Sequence, residues 1–267
     1  MRQILCHDRE SSLRSRKGGF GDAINTGRTM KRGIILEHQR ESHRIGNKRF
    51  QAQKDKIRIR LLRYTRKAFQ MLPHIDHPRI LDVGCGSGIP TLELARLSQG
   101  EVIGIDIDQP ALDKFTKKIE EMGFTDRVQA MNLSMLSMDF ADESFDIIWS
   151  EGSIYAIGFE KGLREWKRFL KPGGFIVIHD EQGNVSKKLK LIYSYGYELL
   201  GTFMLSKEIW WTEYFSPLEK LVKKFLREYA DNAEILEELK PAQEELDMFR
   251  KNPARNSSVY FVMKKKN

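Results

Sequence analysis

The sequence predicts an α/β protein with a doubly wound sheet, and three observations support this class. The apolar residues 80–83 lead directly into a glycine-rich loop at 84–88, which opens a helix at 91–97. Short apolar segments then alternate with amphipathic segments as far as residue 205, a pattern typical of a mostly parallel sheet covered by helices. With 267 residues, 40% of them hydrophobic, the chain is long enough for one large domain with additions.

The start of the chain is basic. Residues 1–70 hold 19 Lys and Arg against 6 Asp and Glu, whereas the remainder holds 26 against 31. We interpret residues 1–50 as a basic, flexible N-terminal extension and residues 51–267 as the main domain. A solvated tail is the favoured interpretation of the extension, with an arm that touches RNA or anionic lipid as the alternative.

The first helix is predicted over Lys54–Leu72, where apolar side chains recur at helical spacing before Pro73. We expect it to pack across the front of the glycine loop. Tyr64 either belongs to the core or touches a cofactor.

The second strand, Glu101–Asp106, ends in a carboxylate. Asp106 follows Gly88 by 18 residues, close to the ~20-residue offset at which an acidic residue meets the ribose hydroxyls in nucleotide-binding units. Because the two oxygens of one carboxylate can accept from both hydroxyls, Asp106 is a candidate ribose ligand. Asp108, before Pro110, is the better candidate for a helix N-cap.

Further strands and helices follow in alternation, with polar residues after each strand. The predicted elements are a helix at 111–122, a strand at 127–131, a strand at 145–149, a helix at 161–170, a turn at 171–174 and a strand at 175–178.

The last part of the chain departs from simple alternation. A helix at 185–195 and a strand at 197–205 precede a large insertion at 206–256, which begins with Trp210, Trp211 and Tyr214 and continues as two amphipathic helices. A final strand is predicted at 257–263. We interpret the insertion as a helical lid over an acceptor pocket, with the aromatic residues either walling that pocket or forming the core of the lid.

Composition excludes several classes of protein. Cys6 and Cys85 are too few for a disulfide framework, give no metal-site spacing and favour a reducing cytoplasm. We expect no segment that could span a bilayer, and we expect no signal peptide at the start of the chain.

The glycine loop excludes two common cofactor classes by its spacing. A dinucleotide fingerprint requires glycine at position 89, where Ile89 stands, and a nucleoside triphosphate loop requires Gly-Lys-Ser/Thr. Asp82 lies just before the loop and suits a ligand with an amino group and no pyrophosphate.

Three motifs together resemble the class I S-adenosylmethionine-dependent methyltransferases, in particular the small-molecule group similar to the ubiquinone and menaquinone biosynthesis type. The motifs are Leu-Asp-Val-Gly-Cys-Gly-Ser-Gly at 81–88, the acidic end of strand two, and Asp-Glu-Ser-Phe-Asp-Ile-Ile-Trp at 142–149 with Leu-Lys-Pro-Gly-Gly at 170–174. The resemblance covers residues 55–205 and the final strand. It implies a Rossmann-like sheet of seven strands, with the last strand antiparallel and inserted between strands five and six.

The resemblance also implies, residue by residue, a site for S-adenosylmethionine. Its members, carried over onto this sequence, are Asp82, Gly84, Cys85, Gly86, Gly88, Asp106, Ile107, Ser134, Met135 and Glu151.

The implied roles follow the parts of the cofactor. The loop would line the methionine part through backbone groups, Asp82 would steady the loop or the amino group, and Asp106 would hold the ribose. Ile107 would pack on the adenine. Ser134 stands where the family usually has an adenine-binding Asp, which makes that contact weaker, and Met135 beside it would offer a backbone N–H and an apolar face. Glu151 would lie near the methionine amino group or the acceptor.

Catalytic candidates follow strands four and five. Methyl transfer depends mainly on alignment, so a dedicated base is not required. Where the acceptor must lose a proton, Glu151, Tyr155, His179 and Glu181 are the polar candidates. His179 has the best intrinsic pKa for a base, although a structural strand-end histidine is equally favoured; Glu151 fits cofactor binding better. Tyr155 and His179 are the two residues predicted to act on the acceptor.

The function expected from the sequence is methyl transfer to the O, N or C atom of a small molecule. The alternatives are an RNA or protein methyltransferase guided by the basic arm, or a non-catalytic protein that binds S-adenosylmethionine. Nucleic acid is not favoured, because the loop after strand four lacks the Asn/Asp-Pro-Pro-Tyr/Phe run of base-amino methyltransferases.

Overall fold

The structure is a computed structural model that describes residues 45–252 and 256–266. The chain separates into two units, residues 1–47 and 48–267, and the second is described below. Most of the predicted N-terminal extension lies outside the described residues.

A seven-stranded sheet forms the centre of the second unit, in the order β3-β2-β1-β4-β5-β7-β6. The strand β7 pairs antiparallel with β5 and β6, and the pairs from β3 to β5 are parallel. The predicted fold class is therefore confirmed, including the late strand between the fifth and sixth. The strands are β1 (Arg79–Val83), β2 (Glu101–Asp106), β3 (Val128–Asn132), β4 (Phe145–Glu151), β5 (Leu170–Glu181), β6 (Tyr197–Leu205) and β7 (Ser258–Lys265).

Helices cover both faces of the sheet. The described chain begins in a helix, α1, that ends at residue 59. The others are α2 (Leu62–Phe69), α3 (Ile89–Ser98), α4 (Gln109–Glu121), α5 (Phe159–Trp166), α6 (Val185–Ser194), α7 (Lys207–Trp210), α8 (Ser216–Glu228) and α9 (Ala233–Lys251). A 3₁₀ turn at Ile154–Ala156 precedes α5, another at Lys167–Phe169 follows it, and a π-helix at Trp211–Phe215 joins α7 to α8.

Two cores lie on opposite faces of the sheet, because successive strand residues point to opposite sides. Within β1, Ile80 belongs to the core that includes Phe115 of α4, whereas Leu81 belongs to the core that includes Trp166 of α5. This arrangement leaves the carboxyl ends of the parallel strands, and the loops that follow them, as the place for a ligand.

The predicted single helix over Lys54–Leu72 is wrong, since α1 and α2 are separate. The N–H of Leu61 donates to the carbonyl of Arg58 at 2.9 Å, a tight turn that interrupts the α-helical pattern. The two helices pack on different cores: Ile57 joins the core of the insertion, and Ala68 joins the core of the sheet. One straight helix cannot place one end of its apolar face in the core of the insertion and the other end in the core of the sheet.

The predicted turn at 171–174 is also wrong in detail, because these residues lie inside β5. The pairing with β4 jumps from Phe145–Leu170 to Ile147–Phe175, so the segment forms a large bulge. The ammonium of Lys171 binds both carboxylate oxygens of Asp146 at 2.9 and 2.8 Å and fixes the bulge against β4.

The insertion at 206–256 has its own core. Buried side chains from the π-helix, α8 and α9 meet Phe50 and Ile57 of α1, and the ring of Phe50 packs edge-on against Phe225 at 5.3 Å. Residues of α1 therefore form one packed unit with the insertion. Among the described residues, no helix has both the length and the hydropathy needed to cross a membrane.

Candidate active site

The glycine loop is bound to the end of the neighbouring strand. The N–H groups of Gly84 and Cys85 both donate to the carbonyl of Ile105, at 2.8 and 3.0 Å. A Cβ on Gly84, whose φ is +77°, would lie 2.2 Å from the Cβ of Ser153. Only glycine allows this close approach of the β1 and β4 loops.

Asp106 joins the loop to strand β2. Its Oδ2 accepts from the N–H of Gly86 at 2.7 Å, and its Oδ1 accepts from the N–H of Asp108 at 3.0 Å. A carboxylate has about four acceptor positions, so two remain for other donors. Binding of ribose by Asp106 stays a prediction, and beside it Ile107 exposes 72% of its surface, available to a flat apolar ligand. Asp108 caps α4 as predicted, accepting from the N–H of Ala111 at 3.1 Å.

A cavity of about 640 Å³ lies beside the loop, between α1, α2, the carboxyl ends of β4 and β5, and the insertion. The structure brings seven of the predicted site residues to its wall: Asp82, Gly84, Cys85, Gly86, Glu151, Tyr155 and His179. The other five lie outside this wall, namely Gly88, Asp106, Ile107, Ser134 and Met135.

Asp82 is a buried carboxylate at the floor of this cavity. Its Oδ2 accepts from the hydroxyl of Thr91 at 2.6 Å. The pKa of Asp82 is raised to about 7: burial is the largest cause, the hydrogen bond from Thr91 opposes the rise, and the negative charges of Glu151 and Asp106 add to it.

Glu151, at the end of β4, is the second acid of the wall. Its Oε1 accepts from the indole N–H of Trp149 at 2.8 Å, and its Oε2 accepts from the hydroxyl of Thr65 at 3.2 Å. Burial raises the pKa of Glu151, against hydrogen bonds from Trp149, Thr65 and Tyr260 that lower it. Among the described residues, neither Glu151 nor Asp82 has a salt bridge. A bound cation would therefore stabilise the ionised form of both acids.

His179 lies in an aromatic stack. Its ring is parallel to those of Tyr260, at 4.1 Å between centroids, and Trp210, at 5.9 Å. Its Nε2 lies 2.7 Å from the hydroxyl oxygen of Ser258, which also accepts from the indole N–H of Trp210 at 2.8 Å. Because a hydroxyl oxygen can accept two hydrogen bonds, this contact forms with either Nε2 or the serine hydroxyl as the donor, according to the tautomer of the ring. Burial lowers the pKa of His179 to about 3, which makes it a weak base. Its predicted catalytic role is untested, and these contacts favour a structural role.

The remaining predicted residues have distinct surroundings. Tyr155 exposes 71% of its surface at the cavity wall. The thiol of Cys85 is buried, and burial raises its pKa. The hydroxyl oxygen of Ser134 accepts from the N–H of Leu136 at 3.2 Å, which shapes the loop after β3. The methyl group of Met135 lies 3.6 Å from where a Cβ on Gly84 would stand, so this loop does reach the glycine loop.

Comparisons with known proteins agree with this geometry. Residues 80–174 match the family model described as a methyltransferase domain. Over 103 residues the chain is 34% identical to the sterol 24-C-methyltransferase of Yarrowia lipolytica. This alignment covers 38% of the present chain and 27% of that enzyme. Over 119 residues it is 33% identical to methyltransferase GfsG of Streptomyces halstedii. This second alignment covers 44% of the present chain and 43% of that protein.

Residues 80–174 thus carry a methyltransferase domain. S-adenosylmethionine is the methyl donor of the class I methyltransferases, which the glycine loop and the order of the strands resemble. The fold is similar to that of an S-adenosylmethionine-dependent methyltransferase from Geobacter sulfurreducens in complex with S-adenosylhomocysteine, with a TM-score of 0.60, 18% identity, and coverage of 76% of this chain and 89% of that one. The alignments span less than half the length of the two curated relatives.

Some wall residues of the methyltransferase domain were not singled out from the sequence. Thr65 lies within the helix predicted over Lys54–Leu72, and Ser258 and Tyr260 lie within the final predicted strand, but no motif marks any of the three. Strand alternation indicates that 258 and 260 share a face, but nothing local shows that this face meets Glu151 and His179. Arg58 of α1 also lines the cavity, without any sequence motif to mark it.

Proposed function

We propose that this protein transfers the methyl group of S-adenosylmethionine to a small-molecule acceptor bound in the cavity between the glycine loop and the insertion. One observation carries the proposal: the loop lines the same cavity as two acids, the buried Asp82 and the half-buried Glu151, and neither acid has a salt bridge within the described residues. The methionine end of the cofactor has an ammonium and a sulfonium, the charges that such acids stabilise.

The residues present fit the cofactor. A Cβ on Gly86 would meet no heavy atom within 4 Å, so the loop leaves open space on the side of the cavity. Asp106 keeps unused acceptor positions for ribose hydroxyls, and Ile107 and Met135 offer apolar surface for adenine. The cofactor would supply the reactive methyl group, which an acceptor attacks in line with the breaking carbon–sulfur bond.

The contribution of the protein is alignment and exclusion of water. The insertion and α1 close the side of the cavity opposite the glycine loop, so that an acceptor is positioned against the methyl group. Well-oriented reactants gain about 7–11 kcal/mol of barrier lowering, so the reaction does not depend on a strong base such as an unperturbed histidine. A volume of about 640 Å³ suits a small acceptor together with the methionine part of the cofactor.

A pair of glycine variants tests cofactor binding. Gly86→Ala and Gly123→Ala both place a methyl group at a positive φ, +52° and +68°, with no heavy atom within 4 Å. The backbone cost is therefore similar, but only Gly86 lines the cavity. Titration calorimetry with S-adenosylhomocysteine should show binding by the wild type and by Gly123→Ala, and binding at least ten times weaker by Gly86→Ala.

Turnover is tested separately. Incubating the full chain with methyl-labelled S-adenosylmethionine and a fractionated small-molecule extract should label a low-mass product, and Gly86→Ala should reduce that labelling. Equal binding by both glycine variants would contradict the cofactor site. Binding without labelled product would favour the non-catalytic alternative, and label in RNA or protein would favour the macromolecular ones.

A further inference from the structure

Arg58 of α1 is a positively charged residue in the wall of the cavity. Its side chain is exposed to solvent although it lines the cavity, and its neighbours there are Tyr214 and Glu245 of the insertion. We call the space between these three residues the insertion end of the cavity. Enclosure lowers the pKa of Arg58, but Tyr214, Glu245 and Asp55 outweigh it and leave the pKa above its ordinary value, so the guanidinium is charged.

The charges around Arg58 do not balance. Glu245 binds the ammonium of Lys54 at 3.0 Å, and Asp55 binds the ammonium of Lys118 at 2.7 Å. Both carboxylates near Arg58 are therefore already paired with lysines. Within the described part of the chain, Arg58 is the member of the group without a carboxylate at salt-bridge distance.

Tyr214 provides a second, independent observation. The residue is buried, and its hydroxyl has no hydrogen-bond partner of normal geometry among the described residues, although Arg58 and Glu245 lie near it. Buried polar atoms are almost always paired, so a hydroxyl beside a cavity that has no partner of normal geometry is available to a ligand group. Tyr214 also belongs to the π-helix at Trp211–Phe215, a rare conformation that occurs frequently at functional sites.

The wall between the two ends is aromatic. The rings of Phe215 and Phe249 stack at 3.9 Å, and Phe215 lies 6.2 Å from Trp210 between centroids. Such a wall accommodates an apolar or flat body. The cavity therefore has acids at the glycine loop, an apolar middle and a positive charge at the insertion end.

We infer that the methyl acceptor is an acidic molecule with an apolar body, whose anionic group binds Arg58 and Tyr214 at the insertion end of the cavity. This inference rests on the proposed function, because it assigns the substrate class of the same site. Arg58 carries the positive charge at this end of the cavity, so a cationic group of an acceptor is disfavoured there. With its anionic group held there, the acceptor extends its body towards the methyl group at the glycine loop.

Three probes of one shape and different charge test the inference. We would titrate the full chain, with and without saturating S-adenosylhomocysteine, with 2-naphthoate, 2-naphthamide and 2-naphthylmethylammonium. The wild type should bind the carboxylate roughly 10–150 times more tightly than the amide, the range for a charged hydrogen bond. The ammonium should bind most weakly.

Four variants then assign the preference. Arg58→Met should abolish the preference for 2-naphthoate over 2-naphthamide, and Arg58→Lys should keep part of this preference. Tyr214→Phe should weaken the binding of 2-naphthoate by about 2–12-fold and leave the binding of 2-naphthamide unchanged. Arg60→Met is the matched control, because Arg60 is exposed, pairs with Glu213 at 3.2 Å and does not line the cavity. It should behave as the wild type.

Two outcomes would overturn the inference. One is that the wild type shows no preference for 2-naphthoate over 2-naphthamide, or that this preference persists in Arg58→Met. The other is that Arg58→Met weakens the binding of S-adenosylhomocysteine but not the binding of 5′-methylthioadenosine, which has no carboxylate. Arg58 would then bind the carboxylate of the cofactor. Failure of the wild type to bind S-adenosylhomocysteine would contradict the proposed function instead, and the probe titrations without it would still decide the inference.

Discussion

Replacing Asp82 with Asn should change how the stability of the protein depends on pH. Burial of the Asp82 carboxyl, only 2% exposed, raises its pKa from 3.8 to about 7 in the native state. A shift of about 3 units corresponds to about 4 kcal/mol between the protonated and ionised forms. Asn has similar shape and its amide oxygen can still accept from the hydroxyl of Thr91, so the variant removes the ionisation with little change in packing.

The sign follows from proton binding. Between pH 4 and pH 7 the native state keeps the Asp82 proton whereas the unfolded state loses it, so the free energy of unfolding falls as pH rises through this interval. Below pH 4 the wild type and Asp82→Asn should differ little. Above pH 7.5 the variant should have gained up to about 4 kcal/mol relative to the wild type.

Urea unfolding followed by circular dichroism at pH 4, 5, 6, 7 and 8 measures this difference. The matched control is Asp126→Asn, at an exposed position in the turn before β3, which should run parallel to the wild type. If the Asp82→Asn curve also runs parallel to the wild type, then the carboxyl is ionised and stabilised in the folded protein, and the argument from burial is refuted.

Three further predictions concern the loop and its neighbours. Gly88→Ala should lower the free energy of unfolding by about 2–4 kcal/mol in urea, because the new Cβ would lie 1.9 Å from the ring of Phe115 at a φ of +75°; a loss under 1 kcal/mol would contradict this packing. Asp106→Ala should weaken S-adenosylhomocysteine binding by roughly 1–3 kcal/mol in calorimetry, whereas Asp108→Ala, which removes a helix cap, should not; equal effects would refute the ribose assignment. The ring of His179 should show no protonation between pH 5 and pH 8 by NMR, since its pKa is about 3; titration near pH 6.5 would restore it as a candidate base.

The order of strands and helices could be predicted from the sequence, because it depends on near neighbours along the chain. The glycine loop after β1, the acid that ends β2 and the Asp108 cap each lie within a few residues of the element that they shape. The seventh, antiparallel strand was predicted by resemblance, since no periodicity shows which edge a late strand will join. The glycine spacing also excluded the dinucleotide and triphosphate classes.

The contacts between the side chains that line the cavity depend on tertiary packing. Glu151 receives hydrogen bonds from Trp149, two residues away, and from Thr65, 86 residues away. Long-range pairs such as Glu151 and Thr65 depend on how helices and strands pack, and Thr65 belongs to none of the sequence motifs. The break between α1 and α2 has the same origin, because two separate cores compete for one amphipathic segment.

The fold class, the glycine loop and the acids at the strand ends can be predicted from the amino-acid sequence, because backbone conformation and burial pattern are local properties. Packing leaves the buried Asp82 and the half-buried Glu151 without a salt bridge among the described residues, keeps His179 neutral in an aromatic stack, and brings Arg58 close to Tyr214 at the insertion end. Desolvation and charge balance are properties of a three-dimensional neighbourhood, and the chain brings those neighbours together only when it folds.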